Sequence, residues 1–285
     1  MNSGKTENPG KLFVVATPIG NLSDITERAL ETLRAVDLIA AEDTRHSKTL
    51  LQHYGIKSPM MSLHEHNEAS QIDQLIRRLQ QGSSVALISD AGTPLISDPG
   101  SRLITAVHEA GLQPVPVPGP SAVSCMLSVA GQPLERFCFE GFLPSRGSAR
   151  RKRLQQLVRE IRTLVFYESS HRILDSIADM KDIFGPSRSC TVGRELTKRF
   201  ESLYRGTLTD ICQRMAEDPN ASRGEFVVVI AGAEGNAEES LENGQQIMDV
   251  LLTELPVSQS ANLAARISGA RKKLINENGQ NKKPK

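Results

Sequence analysis

The sequence predicts a two-domain α/β fold with a mainly parallel first sheet, a mixed second sheet and a small helical module at the C-terminus. Short apolar runs alternate with amphipathic helical patterns between residues 11 and 130, the order expected of parallel strands joined by helices. The pattern restarts at residue 163 with some alternation of polar and apolar residues, which favours antiparallel pairing. Two further short helical patterns follow an acidic, glycine-containing stretch.

Length and composition set the class of protein. The chain has 285 residues, of which 39% are hydrophobic and 24% charged, as is typical of a globular protein of two domains. Its formal net charge of +1 gives no global sign of a polyanionic partner, so contact with nucleic acid would depend on local basic clusters. The four cysteines lie far apart with no CxxC pair, which argues against a zinc knuckle and a disulfide framework. The polar N-terminus does not resemble a signal peptide, and we expect a cytoplasmic protein.

Shifts in composition predict where the chain divides. The expected segments are a disordered lead at residues 1–10, a first α/β domain at 11–118, a second at 119–232, a linker at 233–244 and a helical module with a polar tail at 245–285.

In the first domain, each strand-like run ends in a polar or glycine-containing segment. These segments are TPIGN, EDTR, HEHN, DAGTP and PGPSA in chain order. Because parallel strands point the same way, we expect the segments to meet at one edge of the sheet. Residues far apart in sequence would then form one crevice of the kind that binds small ligands.

The central segment, VALISDAGTPLISDPG at residues 85–100, predicts a buried strand, a loop long enough to hold a ligand, and a helix. Gly92 would let a ligand approach the backbone closely. Asp98 is expected to cap the helix, with Pro99 at its first position. Taken alone, this motif is interpreted equally well as an ordinary connection between a strand and a helix.

The second domain is expected to place further polar residues at the crevice. A strand from Thr163 ends in ESSHR, and a strand at residues 189–193 runs into RELTK. A strongly β-branched strand covers residues 225–231. No GxGxxG or GxxxxGK[ST] motif occurs, which argues against a dinucleotide or a nucleoside triphosphate as the ligand.

Acidic residues and histidines at these strand ends are candidates for proton transfer. They are Glu42, Asp43, His64, His66, Glu168 and His171. His64 and His66 resemble a metal pair, but alternate residues of an extended segment face opposite ways. With no cysteine nearby, solvated or capping roles are favoured for both, and we predict no metal site.

Several motifs in a fixed order give the chain a family resemblance. TPIGN, AEDTR, SDAGTPLISDPG, PGPSA, FEGFLP, FYESSHR, RELTK and GEFVVVI closely resemble the branch of the tetrapyrrole methylase superfamily that methylates ribosomal RNA. The resemblance implies S-adenosylmethionine as methyl donor, a class III methyltransferase fold with the donor in the cleft between two domains, and a homodimer. It also implies 2′-O-methylation of a cytidine ribose in the decoding region of 16S rRNA, in the small ribosomal subunit.

Carried over by position, the resemblance implies donor contacts in both domains. They are Pro18, Asp90, Gly92, Thr93, Leu95, Ile96, Ser121, Ala122, Tyr167, Leu196 and Gly224. A sulfonium nucleoside needs backbone amides and carbonyls on a shaped apolar wall, and the loop positions suit that need. A capping role for Ser121 in the following helix is an alternative that could coexist with binding.

Methyl transfer to a ribose hydroxyl requires in-line approach of the oxygen and removal of its proton. Glu168 is the first candidate for the base, followed by Asp43 and His171, because Glu168 follows a strand of the second domain and should face the donor. The alternative is that Glu168 or Glu42 forms an ion pair that locks the domains together. The arginines considered for that pair are Arg45, Arg172 and Arg194.

Two sets of basic residues are candidates for contacts with RNA. Arg45, Arg194 and Lys198 follow strands beside the donor loops, where they could meet phosphate or ribose oxygens. The densest basic cluster is Arg146, Arg150, Arg151, Lys152 and Arg153. A solvated helix start is the alternative for that cluster. Aromatic residues are scarce, so recognition is expected to use shape and backbone.

Two other functions stay open at this point. A methylase of a small tetrapyrrole or a peptide would share the fold but would need neither the basic segment nor the extra C-terminal module. A noncatalytic RNA-binding assembly factor would not need the donor-binding motifs. The residues after Lys273 depart from what the family leads us to expect, so a short final helix is predicted.

Overall fold

Two sheets organise the described part of the chain. The structure is a computed structural model that describes residues 9–233 and 237–268, together with Ala270 and Ile275. The chain up to Val158 and the segment Thr163–Ala231 form one compact unit, whereas Arg159–Arg162 and the chain from Gly232 onward form a second. Residues 1–8 of the predicted disordered lead and residues 276–285 of the predicted polar tail lie outside the described residues.

The first sheet is parallel, as predicted. Its strands are β1 (Leu12–Val15), β2 (Leu38–Ala41), β3 (Met60–Ser62), β4 (Val85–Ile88) and β5 (Pro114–Val117), in the spatial order β3-β2-β4-β1-β5. β2 and β4 are buried along their whole length, which explains why both are uninterrupted apolar runs.

Helices cover both faces of this sheet. They are α1 (Glu27–Ala35), α2 (Thr44–His53), α3 (Glu68–Gln80) and α4 (Ser101–Glu109). Leu33 of α1 and Leu51 of α2 pack in a core on one face, while Leu75 of α3 and Leu103 of α4 pack on the other. With both faces covered, the carboxyl ends of the strands are where polar loops remain accessible.

The second sheet is mixed, again as predicted. Its strands are β6 (Phe137–Phe142), β7 (Thr163–Ser169), β8 (Ser189–Arg194), β9 (Ser202–Thr207) and β10 (Glu225–Ile230), in the order β6-β7-β10-β8-β9. β6 and β7 are parallel and the other neighbours are antiparallel. The helices α6 (Gly147–Leu157), α7 (Ile173–Phe184) and α8 (Leu208–Glu217) share a core on one face.

The other face of the second sheet is covered by α5 (Ala122–Ala130). Val123 and Met126 of this helix pack with residues of β7 and β10, and Ile19 from the loop after β1 joins the same core. Loops of the first sheet therefore share a core with the second sheet. Both sheets belong to one compact unit, so the domain boundary between residues 118 and 119 stays a prediction.

The prediction that Asp98 caps α4 is wrong. The residue before this helix is Gly100, whose φ of 118° lies in the left-handed region, and α4 begins at Ser101. Glycine adopts this conformation without the steric penalty of a side chain. The helix therefore starts later than the Asp-Pro-Gly pattern indicates, and Asp98 is left in the loop.

The second unit contains α9 (Ala237–Leu251) and α10 (Val257–Ser268). Met248, Ala261, Ala264 and Ile275 form its small buried core. α9 begins inside the stretch predicted as a linker, and the linker of residues 233–244 is to that extent wrong. Among the described residues, no helix is both long enough and apolar enough to cross a membrane.

Candidate active site

A cavity of about 400 Å³ lies where loops of the two sheets meet. The first sheet contributes residues that follow β1, β2 and β4, and the second contributes the end of β7, the loop after β8 and the start of β10. Most of the predicted donor contacts line it: Asp90, Gly92, Thr93, Ile96, Ser121, Ala122, Tyr167, Leu196 and Gly224. Pro18 and Leu95 do not line it themselves, but each precedes a residue that does.

The loop after β4 is fixed to the end of β1 by its backbone. The Thr17 N–H donates to the Gly92 carbonyl at 2.8 Å, and the Gly92 N–H donates to the Thr17 carbonyl at 3.0 Å. Gly92 has a φ of 80°, and a Cβ there would lie 3.3 Å from Ile19 Cγ2. Thr93 Oγ1 donates to the Pro120 carbonyl at 3.0 Å. Three segments that are distant in sequence thus form one wall.

Left-handed residues shape this loop further along. Leu95 and Ser97 have φ values of 76° and 71°, which are unfavourable for residues with side chains. Ile96 lies between these two residues and Asp98 follows Ser97, and both Ile96 and Asp98 line the cavity. The strained backbone presents one apolar and one acidic side chain to the same space.

The loop after β8 has a similar backbone. Glu195 and Thr197, with φ values of 52° and 65°, flank Leu196, which lines the cavity. Lys198 Nζ lies 2.8 Å from Glu195 Oε1 and 2.7 Å from Glu225 Oε2. Lys198 therefore lines the cavity and forms ion pairs with two carboxylates. Its contact with RNA stays a prediction. Gly224 has a φ of 96°, and a Cβ there would press on the Glu195 side chain, so a larger residue would strain the backbone and displace Glu195.

Three acidic side chains from the first sheet line the cavity: Glu42, Asp90 and Asp98. Burial and the neighbouring Asp90 raise the pKa of Glu42. Burial raises the pKa of Asp98 to about 6, with Glu42 and Asp90 adding to the effect and the Ser89 hydroxyl opposing it. Asp90 Oδ1 accepts a hydrogen bond from the Asp43 N–H at 3.0 Å. The first-sheet side of the cavity is strongly acidic.

Aromatic residues form the wall from the second sheet. Tyr167 packs edge to face against Phe139 and Phe142, with ring centroids 4.9 and 5.5 Å apart. Burial and the nearby Asp98 raise the pKa of Tyr167 to about 12, so its phenol is neutral at physiological pH. A bulge in β6 brings Phe142 into the cavity wall, and Gly141 at the bulge has a φ of 66°.

Glu168 lines the cavity, but its carboxylate is occupied by neighbouring groups, so its role as the base stays a prediction that this geometry disfavours. Its side chain is 1% exposed, and Arg172 Nη2 lies 2.9 Å from Oε1. The Ser176 hydroxyl donates to Oε2 at 2.6 Å, and the Ser169 N–H donates to Oε1 at 2.8 Å. Successive side chains of a strand face opposite ways, so Tyr167 faces the cavity and Glu168 faces α7. Glu168 forms a buried ion pair with Arg172, one of the predicted partners, but both residues lie in the predicted second domain, so this pair does not lock two domains together.

The other two base candidates do not line the cavity. Asp43 caps α2, and its hydrogen bonds with the Arg45 side chain and backbone lower its pKa to about 2, which makes it a weak base. His171 is exposed after β7. The stronger candidate, Asp98, was missed because the Asp-Pro-Gly sequence is also the pattern of a helix cap.

The basic residues at the strand ends that were predicted to contact RNA mostly bind other groups of the protein. The Arg45 side chain is 90% exposed and pairs with Asp43 at 2.9 Å. Arg194 is buried, and its Nε donates to the Arg223 carbonyl at 2.7 Å. The prediction that Arg194 meets phosphate is therefore wrong, because β8 lies between two strands with both faces of the sheet covered.

The basic cluster on α6 is partly neutralised. Arg150 is buried and pairs with Asp179 at 2.7 Å, while Arg151 pairs with Asp179 at 2.6 Å and with Asp182 at 3.2 Å. Arg153 pairs with Glu140. The prediction that Arg150 meets RNA is wrong because its guanidinium holds α6 to α7. Arg146 and Lys152 are exposed and stay predictions.

His64 and His66 do not assemble a metal centre in the described structure. Their ring centroids are 5.9 Å apart, and the described residues include no group of three His, Cys, Asp or Glu side chains suited to a metal ion. His64 Nδ1 is buried without a hydrogen-bond partner among the described atoms.

The lining favours a particular class of ligand. Apolar side chains such as Ile19, Ile96 and Leu196 can pack against a planar base, and the acidic side chains favour positive charge while disfavouring phosphate. Gly92 and Gly224 have no side chain, so a ligand can approach the backbone closely at both positions. The cavity therefore suits a cationic nucleoside, with a titratable carboxylate beside it.

Comparison with known families identifies two regions of the chain. Residues 11–212 match the family profile described as Tetrapyrrole (Corrin/Porphyrin) Methylases. Residues 238–275 match the RsmI C-terminal HTH domain. The first match covers the first sheet and β6 to β9 of the second and ends within α8, and the second match covers nearly all of α9, α10 and the residues up to 275.

Close relatives match along nearly the whole chain. A protein of Pseudomonas aeruginosa named ribosomal RNA small subunit methyltransferase I is 52% identical, over 93% of this chain and 95% of its own. A protein of the same name from Escherichia coli O157:H7 is 47% identical, over 93% of each chain.

Solved structures share the fold at low identity. The methyltransferase CobJ superposes with a TM-score of 0.59 at 19% identity, covering 79% of this chain and 95% of that one. A uroporphyrin-III C-methyltransferase from Thermus thermophilus, complexed with S-adenosylhomocysteine, superposes with a TM-score of 0.53 at 15% identity, covering 77% of this chain and 97% of that one. These similarities show the fold alone.

Proposed function

The chain belongs to the tetrapyrrole (corrin/porphyrin) methylase family, and on that premise we propose that it transfers a methyl group from S-adenosylmethionine to ribosomal RNA of the small subunit. The similarity to ribosomal RNA small subunit methyltransferase I carries this proposal. It extends over both sheets and the C-terminal helices at 52% identity, and the match to a helix-turn-helix domain suits a nucleic-acid substrate. A small-molecule methylase and a noncatalytic assembly factor are less well supported by these observations.

The cavity residues fit the donor. Ile19, Ile96 and Leu196 suit its adenine ring, and Asp90 and Glu42 suit its positive charge. When bound, the donor supplies an electrophilic methyl carbon on a sulfonium sulfur. The protein itself holds loops of both sheets around one cavity. Ile19 from a first-sheet loop and Leu196 from a second-sheet loop pack in the same hydrophobic core, which fixes these loops to each other.

The acceptor that we propose is the 2′-hydroxyl of a cytidine in the decoding region of 16S rRNA, as the sequence motifs imply. A ribose hydroxyl is a weak acid, so its attack needs alignment with the methyl carbon and a base for its proton. A carboxylate that lines the cavity supplies such a base. The exposed basic residues Arg45, Arg146 and Lys152 are the proposed contacts with RNA phosphates.

Assembly and location complete the proposal. We propose a homodimer, and the exposed apolar residues Phe137 and Phe142 on the edge strand β6 suit contact with another surface. A cytoplasmic location follows from a ribosomal substrate.

The proposed function is tested with labelled S-adenosylmethionine and two substrates, small ribosomal subunits that lack this modification and the naked 16S rRNA. We expect label in one cytidine of the decoding region and its disappearance when the ribose lacks the 2′-hydroxyl. The Gly224→Val variant should lose donor binding in calorimetry, because the new side chain meets Glu195. Gly185→Val is its matched control, since that glycine has a similar φ of 97° with open space around it.

Two results would contradict the proposal. Label in neither RNA substrate, with donor binding intact, would indicate another acceptor. Absence of donor binding by the wild-type protein would remove the enzyme hypothesis altogether.

A further inference from the structure

Asp98 occupies an unusual position for a residue in an Asp-Pro-Gly sequence. Ser97 before it has a φ of 71°, and Gly100 after it has a φ of 118°. α4 begins only at Ser101, so the Asp98 carboxyl does not cap the helix. It lines the cavity instead, partly buried beside the loops that the donor would contact.

The groups around Asp98 leave its carboxyl available. Glu42 follows β2 and Asp90 follows β4, and both repel a negative charge on Asp98. Tyr167 faces it from the second sheet as a neutral phenol, and the Ser89 hydroxyl is the polar group that favours its charged form. Within the described part of the chain, Asp98 has no ion pair, unlike Asp43 with Arg45 and Glu168 with Arg172.

We propose that Asp98 is the catalytic base that accepts the proton of the ribose hydroxyl, an inference that rests on the proposed function. A bond forms between the hydroxyl oxygen and the methyl carbon while the carbon–sulfur bond breaks, with its electron pair staying on sulfur. The hydroxyl proton passes to the Asp98 carboxylate. The sulfonium charge and the carboxylate charge thus disappear together, and the protonated Asp98 later releases its proton to water.

The surroundings of Asp98 suit this task. Burial, Glu42 and Asp90 raise its pKa to about 6, so it is mostly ionised at pH 7.5 and is a stronger base than an ordinary carboxylate. Asp43 has the opposite character, because its pKa is lowered to about 2. Glu168 has its oxygens occupied by Arg172, Ser176 and Ser169.

The test compares Asp98→Asn with the wild type in single-turnover methylation of small subunits. We expect the rate to fall on the order of 10² to 10⁴-fold, the usual contribution of a positioned base. Donor affinity measured by calorimetry should change less than about threefold. The wild-type rate should rise with pH around 6, and the variant rate should be flat there. Asp98→Glu, which keeps a carboxylate, should retain part of the rate and its pH dependence.

The titration of Asp98 can also be measured in the absence of substrate. Carbon NMR titration of the carboxyl groups in the ligand-free protein should show one aspartate with a pKa near 6, and that signal should be missing in Asp98→Asn. Asp73→Asn, an exposed aspartate on α3, is the matched control and should leave both the titration and the rate unchanged.

The outcomes separate the two proposals. If the wild type methylates the RNA and Asp98→Asn is within a few-fold of it, Asp98 is not the base and the proposed function stands. If the rate falls only in proportion to donor affinity, Asp98 is a binding residue and the inference is overturned. If the wild type methylates no RNA although it binds the donor, both proposals fail.

Discussion

Glu168 shows how one buried carboxylate can be completely occupied by its neighbours. Its oxygens accept hydrogen bonds from Ser176 and from the Ser169 backbone, and Arg172 supplies the opposite charge. Breaking one partner of a buried pair leaves the other charge uncompensated. The functional importance of this residue is therefore expected to be in stability rather than in proton transfer.

We expect Glu168→Gln to lower the free energy of unfolding by about 2–3 kcal/mol, because a charged hydrogen bond and its ion pair are lost in a buried place. Chemical denaturation measures this, with the exposed Glu135→Gln as control. The methylation rate per folded molecule should stay within a few-fold of the wild type. A large loss of rate with unchanged stability would restore Glu168 as a candidate base.

Gly92 is constrained both by its positive φ and by the nearby side chain of Ile19. Gly92→Ala and Gly111→Ala both place a side chain at a positive φ, of 80° and 72° respectively, and each should cost about 1 kcal/mol of stability. Only at Gly92 does the new Cβ press on Ile19, at 3.3 Å, whereas Gly111 has open space around it. We expect donor affinity, measured by calorimetry, to fall about tenfold or more for Gly92→Ala alone. Equal affinities for the two variants would show that this loop does not contact the donor.

For individual residues, sequence patterns predicted which loops form the cavity better than they predicted the role of each side chain. Gly92 was predictable because a residue without a side chain lets a ligand approach the backbone, whereas Gly224 followed only from the family resemblance. Asp98 was not predictable, since its sequence neighbours are those of a helix cap, and Gly100 rather than Asp98 precedes the helix. The burial of Arg194 and Glu168 depends on which face of a strand each residue takes, and the pattern of apolar residues in β7 and β8 does not distinguish the faces.

Among the elements, α6 combines a structural and an exposed basic face. Arg150 and Arg151 are bound by Asp179 of α7, and Arg153 by Glu140 of β6. Arg146 before the helix and Lys152 within it are exposed. The same short segment can therefore hold two helices together and present charge to a polyanion.

The double variant Arg146→Ala with Lys152→Ala should weaken binding to the RNA substrate without a loss of stability. Since each phosphate contact contributes about 0.7–0.9 to the slope of log affinity against log salt, the slope should fall by about 1.5. Filter binding at several salt concentrations measures it. Lys57→Ala, an exposed lysine in the loop before β3, is the control. An unchanged slope would favour the alternative that this segment is only solvated.

The order of elements was predictable because periodicity and turn residues agree along the chain. The extent of α9 was not, since the acidic, glycine-containing composition of its first residues is also typical of a linker. Its helical state depends on the small core around Met248, Ala261 and Ala264, which local composition does not reveal.

For the whole molecule, the acidic cavity lowers the free energy of unfolding when Asp98 is ionised. The folded protein retains the Asp98 proton up to about pH 6, whereas an unfolded chain releases it near its ordinary value of 3.8. Between these values the folded state binds more protons, so the contribution of Asp98 to the free energy of unfolding is largest at low pH and is lost as pH rises through 6. The site is therefore less stable when it is ready to act as a base.

We expect Asp98→Asn to become more stable relative to the wild type as pH rises from about 4 to about 6, and the difference to level off above that. The gain should be about 1–2 kcal/mol, after allowance for partial access of solvent to the cavity. Chemical denaturation at pH 4.5, 6 and 7.5 measures it, and the acids common to both proteins cancel in the comparison. A difference that is constant with pH would show that Asp98 titrates normally.

The bulge at Gly141 has a consequence for how such a protein can diverge. β6 is an edge strand with one neighbour, so a residue gained or lost there changes the pairing with β7 alone and leaves the other strands of the sheet as they are. Yet β6 places Phe142 against the cavity. A mutation at the bulge can therefore reshape the cavity wall at Phe142 while the loops of the first sheet keep their places, so related proteins can come to use a different methyl acceptor in small steps.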